Sequence, residues 1–251
     1  MSNVDAIGII PAAGRATRLG PLPCSKEILP VGVRKGQPSV RVAISSCLEN
    51  MRASGIKQAV VGITSNKQDV ATYLGEGEMF GMGISCHVIE PTQSAPETVA
   101  AILPFAKANP CALAFPDILF DAPHAYRDLL ATLATRQADV VLGLFPADRP
   151  HICDMVAVVP DGTLEDIDIK PQKTNLTHTW GIAVWNAAFS RFLLDAVRQP
   201  HQGARERYMG DVVMAAKRAG MRVLAHKVCA EPYIDVGTPE GLRAAWRASL
   251  T

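Results

Sequence analysis

Short apolar runs alternate along the chain with longer stretches of helical periodicity. Residues 6–10, 58–63, 85–89, 111–115 and 140–145 are dense in apolar side chains and bounded by Pro, Gly or Asn. They read as buried strands. Helical patterns lie between them: 38–53, closed by Gly55; 67–74, capped by Asn66; 97–108; and 125–137. This alternation predicts an α/β fold with a parallel, doubly wound sheet. Beyond Met155 the pattern changes. Residues 155–159 and 163–170 flank Asp161-Gly162 and predict an antiparallel hairpin with a type I′ turn. Within it Ile167 and Ile169 point one way, and Asp166, Asp168 and Lys170 the other. A strand at 179–185, helices at 187–197 and 207–218, and a strand at 222–228 follow. Thr238 caps a last helix, 239–248.

No repeat is visible, and the left-handed β-helix hexapeptide array of an appended acyltransferase is missing. One domain over 1–251 is expected, with a first part of about 1–150 and a second of about 151–251. The 25 basic and 24 acidic residues leave a formal charge of +1, which gives no electrostatic reason to expect nucleic acid or an anionic membrane. No apolar run is long enough for a membrane helix, and the first residues lack the pattern of a signal peptide. Six scattered cysteines without a C-x-x-C pair fit a reduced, cytoplasmic protein. Homo-oligomerisation is left open.

The chemistry concentrates after the first strand, in PAAGRATRLGPLPCSKEILPVG, residues 11–32. Small residues let the backbone approach a ligand and offer amides to an anion. Arg15, Arg18 and Lys26 place three cations within twelve residues, a composition suited to a polyphosphate. Neither G-x-G-x-x-G nor a Walker A loop is present: Ala16 and Leu19 stand where the first needs glycine, and Gly20-Pro21-Leu22 where the second needs Gly-Lys-Ser/Thr. Taken alone, Asp117 reads equally as a turn or cap residue, and Asp235 as an Asx-turn residue.

Together, A-A-G-x-x-T-R-L, the later K-x-x-L-P-V and the distal D-V-G-T-P-E resemble the sugar-phosphate nucleotidyltransferases, such as glucose-1-phosphate thymidylyl- and uridylyltransferases. The resemblance implies a Rossmann-like, doubly wound mixed sheet of GT-A-like type with a small antiparallel extension on the acceptor side. It implies that Ala12, Ala13, Gly14 and Arg15 hold a nucleoside triphosphate, with Glu90 in the base-reading region. It also implies that Arg18 grips pyrophosphate, Lys26 the reacting phosphates, and Asp117 and Asp235 a Mg²⁺ ion. Lys170-Pro171 resembles the motif whose lysine holds a sugar 1-phosphate, and Gly181 the glycine against which the sugar lies. Four positions depart from the pattern: Ala16 and Pro116 replace glycines, Ser25 a proline, and Ile169 a glutamate that holds sugar hydroxyls. Asp168, on the side assigned to Lys170, is a candidate stand-in. Thr92, Gln93 and Ser94 are candidate base contacts, and His87 and His178 read as packing or solvent-facing. Two alternatives stay open: a cytidylyltransferase-like enzyme acting on a non-sugar phosphate or phosphonate, and a non-catalytic nucleotide-sugar-binding module.

Overall fold

A computed structural model describes residues 6–33, 39–106, 110–200 and 205–249. The first half contains β1 (Ile7–Pro11), β2 (Pro30–Val33), β3 (Val40–Val42), α1 (Ser45–Ala53), β4 (Gln58–Ile63) and α2 (Gln68–Leu74). It continues with β5 (Gly83–Val88), α3 (Ala95–Ile102), β6 (Cys111–Ala114), β7 (Ile118–Leu119), α4 (Ala125–Thr135) and β8 (Val140–Pro146). The second half adds β9 (Asp154–Val158), β10 (Leu164–Ile169), β11 (His178–Trp185), α5 (Ala187–Arg198), α6 (Met209–Arg218), β12 (Val223–Lys227), β13 (Ile234–Asp235) and α7 (Pro239–Ser249).

Nine strands form one mixed sheet. β5, β4, β1 and β6 are parallel neighbours. β11 then enters antiparallel between β6 and β8, and β12 extends β8 in parallel. The five predicted strands therefore run in one direction, but an opposed strand from the second half separates β8 from the other four. Beyond the end of β6, Thr179 of β11 pairs with β9, and β10 pairs with β9. This is the antiparallel extension.

Period-two alternation sorts the central strands into two cores. Ile10, Val61 and Ile63 face α1, α2 and α4, whereas Ile7, Ile9 and Val60 face α3, α5 and α6. The sheet is thus covered on both sides, as a mostly parallel sheet requires.

Several boundaries differ from the expected ones. The start of the 38–53 helix is a strand, because β-branched Val40 and Val42 pair with β2; Pro38 lies outside the described residues. The 97–108 helix tightens to a 3₁₀ turn at Leu103–Ala106, where Pro104 lacks an amide donor; Ala108 also lies outside the described residues. Asn66 does not cap α2; its side chain accepts from Thr64 Oγ1 at 2.6 Å. The hairpin turn is not type I′. Gly162 alone has positive φ, at 85°, and its amide donates to the Val159 carbonyl at 2.9 Å, with Pro160 between. Proline fixes φ near −65°, which excludes the paired positive φ values of I′.

Candidate active site

The loop after β1 opens at the carboxyl ends of β1, β4 and β5, the edge where open α/β sheets bind ligands. A cleft of about 720 Å³ lies there, lined by Ala13, Gly14, Arg15 and Ala16, by residues 20–26, by Thr64–Lys67 and Asp69, and by Pro91 and Thr92. Of the expected nucleotide contacts, Ala13, Gly14 and Arg15 line the cleft. Ala12 is fully buried beneath it, and exposed Glu90 is not among the lining residues.

The loop is held from below. Lys67, on the turn after β4, donates to both Glu27 carboxylate oxygens at 2.7 and 2.8 Å and to the Ala12 carbonyl at 2.7 Å. Glu27 is 0% exposed. Burial raises the Glu27 pKa and lowers that of Lys67, each only partly offset by its partner. Asp69 accepts from the Ser25 amide and hydroxyl, both at 2.7 Å, so Ser25 is clamped where the family pattern has a proline. Burial would raise the Asp69 pKa, but these two bonds hold it below the ordinary value. Ala16 sits at φ 54°, ψ 30°, the left-handed region that glycine adopts without cost.

The two aspartates meet through a two-residue ladder. Asp117 directly precedes β7 and Asp235 ends β13; Asp235 pairs with Ile118, and the Val236 amide donates to the Asp117 carbonyl at 2.9 Å. Lys26 Nζ donates to Asp117 Oδ2 at 2.5 Å, and Arg18 donates to Asp235 Oδ2 at 3.3 Å. Gly237 lies at the centre. A side chain there would come within 2.9 Å of Asp117 Oδ2, Asp235 Oδ1 and an Arg18 guanidinium nitrogen. Its amide donates to Asp235 Oδ1 at 2.8 Å. Burial would push Asp117 up, but Lys26 and Arg18 outweigh it and hold the carboxyl below its usual range. Burial likewise lowers the Lys26 ammonium pKa, yet Asp117, Glu27 and Asp235 together leave it raised. Asp117 and Lys26 are thus both held in their charged forms at neutral pH.

Lys170 stands apart. Among the described residues it makes no ion pair or hydrogen bond with either aspartate. Its positive φ of 50° breaks the strand alternation, and its ammonium lies 3.9 Å from the centre of the Tyr208 ring, just before α6. Ile167 and Ile169 pack on Gly210 of that helix, so Lys170 has turned to their side and exposed Asp168 does not share it. Gly181 occupies the register shift between β11 and β8, where a Cβ would press on the rings of Tyr233 and Phe145 at 3.2 and 3.3 Å. In the base-reading region Thr92 bonds Thr98 through their hydroxyls at 2.5 Å, and the Gln93 amide donates to Glu97 at 2.9 Å. Ser94 Oγ is buried without a partner among the described residues. His87 stacks on Phe105, and His178 bonds Thr177.

Sequence reading missed Lys67, Asp69, Glu27 and Gly237. The signal for Gly237 lay within D-V-G-T; the S-N-K-Q-D run after β4 carried the others without a recognisable pattern.

The fold thus gathers two carboxylates and two cations at the strand ends. The model of the nucleotidyl transferase family matches residues 7–251, and the chain belongs to that family of enzymes. Among solved structures it is similar to one assigned as a glucose-1-phosphate thymidylyltransferase from Bacillus anthracis, in complex with sucrose. The TM-score there is 0.82 at 18% identity, over 97% of this chain and 95% of that one. It is also similar to a UDP-glucose pyrophosphorylase complexed with UDP-glucose, with TM-score 0.80 at 16% identity over 98% of both chains. The apo form of UDP-glucose pyrophosphorylase gives 0.75 at 16% identity over 98% of both chains. No curated protein matches the chain.

Proposed function

We propose that the chain is a Mg²⁺-dependent sugar-1-phosphate nucleotidyltransferase, joining a nucleoside triphosphate and a sugar 1-phosphate into a nucleoside diphosphate sugar and pyrophosphate. The observation that carries this reading is the convergence of Asp117, Asp235, Lys26 and Arg18 around Gly237. The donor set suits a hard cation, since Mg²⁺ takes one or two protein carboxylates and completes its octahedron with phosphate oxygens and water. Among the described residues no group of three or more His, Cys, Asp and Glu could hold a metal. Asp117 and Asp235 would hold the ion, which when bound neutralises phosphate charge.

The chain's own residues do the remainder. Ala13, Gly14 and Arg15 line the triphosphate cleft. Lys26 leaves Asp117 to hold the reacting α-phosphate, and Arg18, 58% exposed and weakly tied, swings to the β- and γ-phosphates. An oxygen of the acceptor phosphate, held by Lys170, attacks the α-phosphorus, and the bond to the bridging oxygen of pyrophosphate breaks. The attacking oxygen is already an anion, so no side chain must remove a proton. Catalysis rests on position and charge. One domain over 1–251 carries both substrates in this reading, the protein works in the cytoplasm, and neither nucleic acid nor membrane is a partner. No described helix is long and apolar enough to cross a membrane.

The test is pyrophosphate release from each nucleoside triphosphate with a panel of hexose 1-phosphates and Mg²⁺. Asp117→Asn and Asp235→Asn should each abolish most turnover. An inactive wild type, or full activity in both variants, overturns the reading.

A second reading, a phosphorylated acceptor without sugar hydroxyls, is favoured by Ile169, which puts an apolar side chain beside Lys170.

A further inference from the structure

Four groups on the second half of the chain surround a half-buried carboxyl that the reaction above does not use. Asp154 opens β9, and its side chain makes no ion pair or hydrogen bond among the described residues. It pairs directly with Ile169 across the β9–β10 ladder, which puts the two side chains on one face. Both also approach the same point above Gly210, Asp154 Oδ2 to 3.2 Å and Ile169 Cδ1 to 3.5 Å. Lys170 follows, turned to that side by its left-handed backbone, with its ammonium over the Tyr208 ring. Arg205 lies over the same ring at 4.7 Å and is tied to Asp211 by bonds of 2.7 and 2.8 Å.

Behind the carboxyl stands Trp180, 6% exposed. Its indole N–H finds no partner of hydrogen-bond geometry among the described residues, yet lies close enough to Asp154 to lower the carboxyl's pKa. The cluster is joined to the aspartate pair through one segment. Tyr233, two residues before Asp235, packs on Gly181 and donates its hydroxyl to Cys153 Sγ at 3.6 Å, next to Asp154. Lys170 donates its amide to the Cys153 carbonyl at 3.0 Å. An acceptor phosphate on Lys170 would thus lie near Asp154, on the face that Ile169 and Gly210 share.

A carboxyl so placed takes either a hydroxyl or an ammonium. Arg205 is already paired with Asp211 and Lys170 supplies a cation on this face, so a sugar phosphate held by Lys170 would bring a hydroxyl to the carboxyl. Resting on the sugar-1-phosphate reading, we infer that Asp154 selects the acceptor by receiving a hydroxyl of a sugar phosphate, with Lys170 holding the phosphate. Burial, the largest influence on Asp154, and the nearby Asp211 raise its pKa to about 6 against the pull of Lys170 and Arg205. A carboxyl at that value binds a neutral hydroxyl in either protonation state, which agrees with the assignment.

The experiment is steady-state kinetics with the best hexose 1-phosphate of the panel, its singly deoxygenated analogues and phosphoethanolamine. Asp154→Ala should raise the KM for the hexose phosphate by at least about tenfold, leave the KM for the nucleotide within about twofold, and erase the preference over one deoxy analogue. Asp154→Asn, which keeps an acceptor oxygen, should fall between. Ile169→Glu, added to Asp154→Ala, returns a carboxylate to the same face and should recover most of the affinity. An unchanged acceptor KM in Asp154→Ala, a parallel rise in both KM values, or a wild-type preference for phosphoethanolamine overturns the inference. A wild type that consumes no hexose 1-phosphate refutes the sugar-1-phosphate reading itself, so the two failures are told apart.

Discussion

Replacing Lys67 by methionine is expected to be among the costliest single changes near the cleft, although Lys67 touches no substrate in the mechanism above. The substitution keeps most of the side-chain volume and removes the charge that faces Glu27. Glu27 is fully buried, and both of its carboxylate oxygens are bonded by Lys67 Nζ, which also serves the Ala12 carbonyl. Removing one member of a buried ion pair strands the other and typically costs about 3–5 kcal/mol. At about 2–4 °C per kcal/mol for a chain of this size, the melting temperature should fall by roughly 6–20 °C.

The loss has a pH signature. The folded pKa of Glu27 already lies above its ordinary 4.5 because of burial, and losing Lys67 raises it further. A raised carboxyl contributes fully below its unfolded pKa, and that contribution disappears as pH rises through the folded value. The deficit of Lys67→Met should therefore be small near pH 4.5 and widen steadily toward neutrality. Chemical denaturation of wild type and variant across that range measures it. Glu27→Leu combined with Lys67→Met removes both charges and should recover most of the stability, since an apolar pair of similar volume often replaces a buried ion pair at little cost. A single variant melting within about 2 °C of wild type, or a double variant no better than the single, refutes the assignment of this pair as the support of the cleft.

Gly237→Ala inserts a methyl group 2.9 Å from both aspartates and Arg18. Mg²⁺ titration of pyrophosphate release should show affinity down by about 10–100-fold with the melting temperature little changed. Ala16→Gly relieves a left-handed backbone and should stabilise the protein by roughly 1 kcal/mol, read by denaturant unfolding, while turnover is retained. Arg18→Ala breaks only an exposed ion pair, so stability should move by less than about 1 kcal/mol while pyrophosphate release slows sharply.

The layout of the first half was legible because each central strand carries its own signal. Residues 58–63 and 111–115 are apolar on both faces, as strands covered twice must be. The insertion of β11 between β6 and β8 was not legible, since a buried strand looks the same whether its neighbours run with it or against it. The hairpin turn departs for a local reason: Asp161-Gly162 alone signals type I′, but Pro160 before it has a fixed φ that decides the turn. Alternation failed at Lys170 because the left-handed backbone of that residue leaves no trace in the hydrophobic pattern.

The site shows the same division at finer scale. Arg18, Lys26, Asp117 and Asp235 were found because each sits in a short run of distinctive residues, but their convergence depends on a ladder of two residue pairs, Ile234 with Leu119 and Asp235 with Ile118. So short a ladder cannot hold by itself. Leu119 and Val236 are buried with Val31, Ala43 and Ala245, which ties the ladder to β2 and α7. Gly241 of α7 then passes so close to the Asp235 carbonyl that a side chain would overlap it. The position of the second carboxylate is therefore set by how closely α7 can approach, and the glycine after D-V-G-T-P-E belongs to the site as much as the aspartate does. Gly241→Ser should accordingly lose Mg²⁺-supported turnover and lower the melting temperature together, whereas Gly237→Ala loses turnover alone. Equal melting temperatures for the two variants would show that α7 does not set the position of Asp235.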